Sequence, residues 1–229
     1  MLSKSAARTF FLVGTAACGL AFVLLTLDTF QKIPDQTREA ELTEAAIRGK
    51  HLFEASNCMG CHTILGEGAY YAPELTRVYE RRGPEFIAAM LRDPESMYPG
   101  QRRMQQYDFT EEEIADLVAF LQWVGGMDLN GFPPTPPLAS AAGTTPEATV
   151  ADGRPAVFNQ MCVACHAVGG RGGSVGPSLD GIATRFDRDY FARWLADPDA
   201  VRPGTTMPKL PLSDEHISQL SDYLATLQN

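Results

Sequence analysis

Cysteine is scarce in this chain, with five in 229 residues. That excludes the disulfide-stapled scaffolds of small secreted proteins. Basic charge is scarce too: 19 Lys and Arg face 28 Asp and Glu, giving a net charge of −9 and an isoelectric point of about 4.9. A nucleic-acid binder needs a basic surface to neutralise phosphates, so that class is excluded. No stretch alternates apolar and polar residues long enough for a sustained strand, which excludes a sheet-based fold. Apolar residues make up 45% and charged residues 21%, a globular composition rather than a disordered or collagen-like one.

One long uncharged run is present, from Thr9 to Leu27. As a helix its 19 residues span about 29 Å, close to the hydrocarbon core of a bilayer. Lys4 and Arg8 precede it and Asp28 follows it. The positive-inside rule therefore leaves the first eight residues in the cytoplasm and places the chain after Asp28 on the other side. A cleaved signal peptide is the competing reading. The run exceeds the apolar segment of about 7–15 residues found in such peptides, and Leu25 to Thr29 makes a poor cleavage site. An uncleaved anchor is expected, with Cys18 inside it as a small apolar residue.

The remainder of the chain contains a duplication. Cys58-Met59-Gly60-Cys61-His62 matches Cys162-Val163-Ala164-Cys165-His166 at an offset of 104. Gly49 and Gly153, Pro73 and Pro177, Leu75 and Leu179, Asp93-Pro94 and Asp197-Pro198, and Pro99-Gly100 and Pro203-Gly204 share that offset. At an offset of 103, Met104 meets Met207, Thr110 meets Ser213, Leu117 meets Leu220 and Phe120 meets Tyr223. Each copy closes on a helix signal. Thr110 with Glu113 forms a capping box ahead of Ile114, Leu117, Val118 and Leu121. Ser213 caps an apolar stripe of Ile217, Leu220, Leu224 and Leu227, and Asp214 and Glu215 complement the helix dipole. Shorter helices are expected around Ala45 to Ala55 and around Arg154 to Met161. Phe53 with Trp123, and Phe158 with Tyr223, are candidates for packing where the first and last helices of each copy cross. The expected organisation is a cytoplasmic tip and transmembrane anchor over 1–30, a first domain over 31–132, a linker over 133–151 and a second domain over 152–229. The linker opens on Pro133-Pro134-Thr135-Pro136-Pro137 and continues rich in Ala, Ser, Gly and Thr, a composition that leaves the second domain free to move. Residues 31–131 carry 17 acidic and 10 basic side chains, and 152–229 carry 9 and 7; the usual reading of such charge is solubility, with attraction of a basic partner to the first domain as the alternative.

Cys-x-x-Cys-His is the attachment pattern of c-type haem. Two thiols on one helical turn can each add to a porphyrin vinyl group, and the adjacent His then lies beneath the iron. Cys58 and Cys61, and Cys162 and Cys165, are the attachment points, with His62 and His166 as proximal ligands. Met104 and Met207 are the candidate second ligands; a soft, neutral thioether favours ferrous iron and raises the potential. Met90, Met97 and Met127 compete with Met104 but have no counterparts in the second copy, and Met161 directly precedes the second motif. A zinc site would need two further ligands at each motif, and a thioredoxin-like dithiol would need a βαβ context. Two covalently bound haem c groups are expected. Domains of about 80 residues have little apolar core of their own, and a porphyrin supplies apolar mass. Arg102 and Arg103 are candidates to pair with haem propionates, and His51 and His216 read as solvated surface residues. The predicted fold is all-α: a single N-terminal transmembrane helix followed by two class I cytochrome c domains in tandem.

The run Cys58-Met59-Gly60-Cys61-His62-Thr63-Ile64-Leu65-Gly66-Glu67-Gly68-Ala69-Tyr70-Tyr71-Ala72-Pro73-Glu74-Leu75 resembles the cytochrome c component of bacterial nitric oxide reductase. So do the preceding anchor, Arg102-Arg103-Met104, and the segment from Ile114 through Trp123 to Phe132-Pro133-Pro134. The resemblance covers about residues 1–135. It implies a bacterial inner-membrane protein with a single span and both haem domains in the periplasm. It implies a non-catalytic role in denitrification, passing electrons to a multi-span catalytic subunit that holds haem b. It also implies a soluble periplasmic donor, a cytochrome c or a cupredoxin. Gly68, through its carbonyl, and Tyr70 match positions that help bind a calcium ion at the interface with the catalytic subunit. In the family a proline often follows the axial methionine; Gln105 does so here. Residues 152–229 are an addition, similar to small class I cytochromes c, and imply a fused donor that hands electrons to the first haem. Two other readings stay open: the dihaem subunit of a cbb3-type oxygen reductase, and a free-standing membrane-anchored electron shuttle.

Overall fold

The computed structural model describes residues 3–100, 103–132 and 153–228. The expected linker and Arg102 lie outside the described residues. Helix α1 runs from Lys4 to Gln36, capped by the Ser3 hydroxyl, which accepts from the Ala6 N–H at 3.2 Å. Its 33 residues span about 50 Å, longer than the bilayer core of about 30 Å. None of its side chains is buried, and it is long and apolar enough to cross a membrane. The Thr26 and Thr29 hydroxyls donate to the Phe22 and Leu25 carbonyls at 2.8 and 2.9 Å, which satisfies two polar groups within an apolar helix. At its far end the Asp128 N–H donates to the Gln36 carbonyl at 2.8 Å. The Trp123 indole donates to the Arg38 carbonyl at 3.4 Å. The anchor is thereby tied to the first haem-motif unit rather than hanging from a loose joint.

The first unit contains α2 (Glu44–Ala55), α3 (Val78–Arg92), α4 (Pro94–Met97) and α5 (Glu111–Gly126). The second contains α6 (Ala156–Met161), α7 (Arg188–Ala196), α8 (Pro198–Val201) and α9 (Asp214–Leu224). The fold is all-α, as predicted. Each unit adds one antiparallel ladder of two residues per strand: β1 (Thr63–Ile64) with β2 (Glu67–Gly68), and β3 (Ala167–Val168) with β4 (Arg171–Gly172). Such strands are too short to register as alternation in the sequence. The repeated Asp-Pro pairs acquire a physical role as helix starts. Asp93 accepts from the Ser96 N–H at 3.0 Å and Asp197 from the Ala200 N–H at 3.1 Å, with Pro at the first helical position, where no N–H is needed. The Thr110–Glu113 capping box and the Ser213 cap form as read from the sequence.

In the first unit α2 crosses α5 at Gly49. A Cβ there would lie 2.0 Å from the Asp116 carbonyl oxygen, so only glycine lets the two helices approach so closely. The Asp116 carboxylate is buried beside this crossing, and Arg48 fills both of its oxygens through Nε and Nη2 at 2.7 Å each. A buried carboxylate needs this bidentate partner to offset its lost hydration. Phe53 packs on Phe120 with ring centroids 5.3 Å apart. Trp123, the partner expected for Phe53, instead turns its indole toward Arg38. In the second unit Phe158 meets Tyr223 edge-on at 4.9 Å, as expected.

The second unit departs from the first in its opening helix. Pro155 occupies the N-cap and Gly153 has φ 76°, so α6 starts at Ala156, two residues later than expected. Too short to repeat the α2–α5 crossing, α6 packs on α3 of the first unit. Phe86, Ala89 and Met97 are buried in one apolar cluster with Val157, Phe158, Met161 and Cys162. The second unit is therefore docked on the first, where the linker composition alone implied free movement. At this seam α3 breaks at Gly83 (φ 74°, ψ 163°), and the Gln160 side chain fills the space beside it.

Gly49→Ala is expected to cost about 1–3 kcal/mol through forced separation of α2 and α5, read as a lowered thermal midpoint. An unchanged midpoint would show that the crossing adapts.

Candidate haem sites

The sequence builds the same cradle twice. A turn of 3-10 helix carries each cysteine pair, Cys58–Gly60 and Cys162–Ala164. The His62 N–H donates to the Cys58 carbonyl and the His166 N–H to the Cys162 carbonyl, both at 2.9 Å. The following loop wraps back over the turn: Ala72 N–H to the Cys61 carbonyl at 2.8 Å in one copy, and Gly176 N–H to the Cys165 carbonyl at 2.8 Å in the other. That wrapping brings the Pro73 carbonyl to 2.7 Å from His62 Nδ1, and the Pro177 carbonyl to 2.8 Å from His166 Nδ1. A carbonyl can only accept, so Nδ1 carries the proton. Nε2 keeps its lone pair for a metal, and the ring cannot swing. The repeated prolines are visible in the sequence, but their carbonyl role is not.

Gly68 and Gly172 hold the loop in place. Their φ values are 111° and 128°, and a Cβ on either would lie 2.2 or 2.1 Å from the carbonyl of His62 or His166. Gly68 thus has a backbone reason to be glycine that is independent of calcium. Tyr70, its expected companion on the ion, is 87% exposed. Among the described residues no three His, Cys, Asp or Glu gather as a metal site. Gly68 offers a carbonyl and Tyr70 a phenol, fewer ligands than calcium takes.

The first cradle opens on a cavity of about 640 Å³, within the range of pockets that take a small ligand or cofactor. Cys58, Cys61 and His62 line one wall, Phe53, Leu117 and Leu121 supply apolar surface, and both Met104 and Met90 border it. Met97 and Met127 are buried in the cores instead. Burial pushes the Cys58 thiol up from its ordinary value. Three arginines reach the cavity: Arg81, Arg82 and Arg103. Arg103 pairs with Glu95, and Arg81 donates to Glu74, with Nη1 3.4 Å from its carboxylate. The Tyr107 hydroxyl closes one edge by donating to the Ser56 carbonyl at 3.2 Å.

In the second unit Cys162 is buried, and its thiol is pushed up to about 12 by desolvation. Met207 Sδ accepts from the Trp194 indole N–H at 2.9 Å, a contact that places the thioether firmly and that no spacing in the sequence signals. His51 is exposed, as expected, whereas His216 is half-buried with Nδ1 out of reach of water and unpaired.

Two family descriptions match this chain. "Cytochrome c" matches residues 46–125, and "Cytochrome C oxidase, cbb3-type, subunit III" matches residues 148–224. The nitric oxide reductase C subunit of Stutzerimonas stutzeri is 42% identical over 137 residues, 58% of this chain and 94% of the relative. The corresponding proteins of Halomonas halodenitrificans and Paracoccus denitrificans are 42% and 34% identical, over 59% and 58% of this chain and 96% and 95% of theirs. The chain belongs to the family of nitric oxide reductase C subunits. It is a membrane-anchored cytochrome c that carries a further cytochrome-type domain in the region of 148–224. Its cytochrome c domains imply covalently bound haem c. The first cavity fits that group in size, in its apolar lining and in the fixed tautomer of His62.

Gly68→Ala or Gly172→Ala is expected to push the loop off its histidine, lowering the yield of haem-loaded protein and its thermal midpoint. Full loading at the wild-type midpoint would mean that the loop finds another path.

Proposed function

We propose that this chain is the electron-input subunit of a nitric oxide reductase complex and carries two haem c groups. Cys58 and Cys61 attach the first haem, with His62 and Met104 on its iron. Cys162 and Cys165 attach the second, with His166 and Met207. When bound, haem supplies one-electron exchange between ferrous and ferric iron. The chain's own residues do the rest. The proline carbonyls fix the histidine rings, the apolar walls exclude water, and Trp194 steadies the Met207 thioether. These four residues would fill both irons and leave no position for substrate, which supports relay rather than catalysis.

One observation supports a direct relay between the units: the second cysteine unit is packed on α3, a wall of the first cavity. A soluble periplasmic donor, a cytochrome c or a cupredoxin, delivers an electron to the second unit. The electron passes to the first unit and then to a multi-span catalytic subunit holding haem b, where nitric oxide is reduced. Lys4 and Arg8 ahead of the anchor favour the periplasmic side for both units, and the tie of α1 to Trp123 and Asp128 supports a place for the first unit near the membrane partner. Any calcium at Gly68 and Tyr70 would draw most of its ligands from that partner. The match of residues 148–224 to a cbb3-type oxidase component favours a donor domain of that kind and keeps an oxygen-reducing partner as the second reading.

Extraction from native membranes in mild detergent tests the proposal. The chain is expected to come away with a multi-span protein bearing haem b, to show two haem c per chain in an alkaline pyridine spectrum, and to consume nitric oxide under a reduced donor. A dihaem chain that comes away alone would make it a shuttle, and a partner that reduces only oxygen would make it an oxidase component. Met104→Ala is expected to lower the first potential while Met90→Ala leaves it in place; the reverse result would reassign the ligand.

A further inference from the structure

The seam between the two units contains a cation with no carboxylate among the described residues. Arg82 lies on α3, half-buried, and lines the first cavity. Its two companions there are paired, Arg81 with Glu74 and Arg103 with Glu95. Arg82 rests instead over the Phe86 ring, 5.2 Å from the centroid. Among the described residues it forms no ion pair with Asp or Glu, and the Phe86 ring beneath it shares one buried cluster with Cys162 of the second haem motif. Tyr98 likewise lines the first cavity and packs against that cluster. A half-buried guanidinium without an anion is costly, and one bordering a cofactor cavity calls for an anion on the cofactor. Haem carries two carboxylates on its propionate arms, and a guanidinium fits a carboxylate in bidentate fashion.

We propose that Arg82 is the bridging residue between the two haem sites, pairing with a propionate carboxylate of the first haem while resting on Phe86, which packs with Cys162 of the second motif. The role rests on the relay proposed above and names the residue that positions it. Adjacency to Met104 in the sequence points to Arg102 and Arg103 for propionate pairing. Arg103 is engaged with Glu95, and Arg82 is the arginine whose described surroundings lack an anion. With the pair formed, the wall of Arg82, Phe86 and Tyr98 becomes a fixed, dry partition. One electron crosses it, oxidising the iron of the second haem and reducing that of the first, with no proton moved.

The test uses the full chain, comparing wild type with Arg82→Gln and Arg82→Lys. Two quantities are read: the midpoint potentials by equilibrium titration, and the rate at which an electron placed on one haem by photoreduction redistributes to the other. Removing a positive charge beside a haem disfavours the reduced state, so Arg82→Gln is expected to lower the first haem's potential and slow redistribution tenfold or more. Arg82→Lys, which keeps the charge, is expected to stay closer to wild type in potential. Arg82→Gln with wild-type haem content in which either quantity is unchanged would overturn the bridging role. If Arg82→Gln fails to load haem, the rate in Arg82→Lys decides: a lowered rate supports the role, and a wild-type rate overturns it. A wild-type chain that shows no redistribution would sink the relay itself, before any variant is compared.

Discussion

Each unit is organised around a histidine ring held by a single carbonyl. At 2.7 and 2.8 Å the proline oxygens take the Nδ1 protons of His62 and His166, and much else in the two cradles serves to bring those oxygens there. The loop must fold back over the cysteine turn, which needs Gly68 and Gly172 at positive φ and within touching distance of the histidine carbonyls. The short hairpins set the loop's departure, and the Leu75 and Leu179 N–H groups bond to Thr63 and Ala167 to set its return. The helices then form the walls. A ring free to rotate would offer a metal either nitrogen at random; a clamped ring offers one, in a fixed direction.

The two units use this cradle differently. The first is built for attachment. Its opening helix crosses α5 at a glycine, its buried carboxylate is filled by Arg48, and its last helix is joined to the membrane anchor. The second has a truncated opening helix and borrows apolar surface from α3 to complete its core. A unit of about 80 residues is short of core, and docking supplies what the missing turns of α6 do not. The same docking brings the second cysteine turn against a wall of the first cavity. Packing that stabilises the small domain and packing that joins the two units are here one contact.

Much of this architecture is legible in the sequence. The offset of 104 between the cysteine motifs, the Asp-Pro helix starts, the capping box at Thr110 and the uncharged run from Thr9 all act over a few residues, where spacing and chemistry are sufficient. Long-range partners are not legible in that way. Phe53 chooses Phe120 over Trp123 because of where α5 presents each ring. Met207 finds Trp194 across a loop, and Met90 reaches the same cavity as Met104 from a different element.

The sequence by itself determines that the chain has an apolar helix long enough for a bilayer, two copies of one helical unit and two haem attachment motifs, because each of these is written in local periodicity or spacing. Only the tertiary structure decides that the second unit is docked and not tethered, that proline carbonyls fix the histidine tautomers, and that Arg82 is the cavity arginine without a carboxylate among the described residues. These depend on which surfaces meet across gaps of many residues, and a pairing of that kind exists only once the chain has folded.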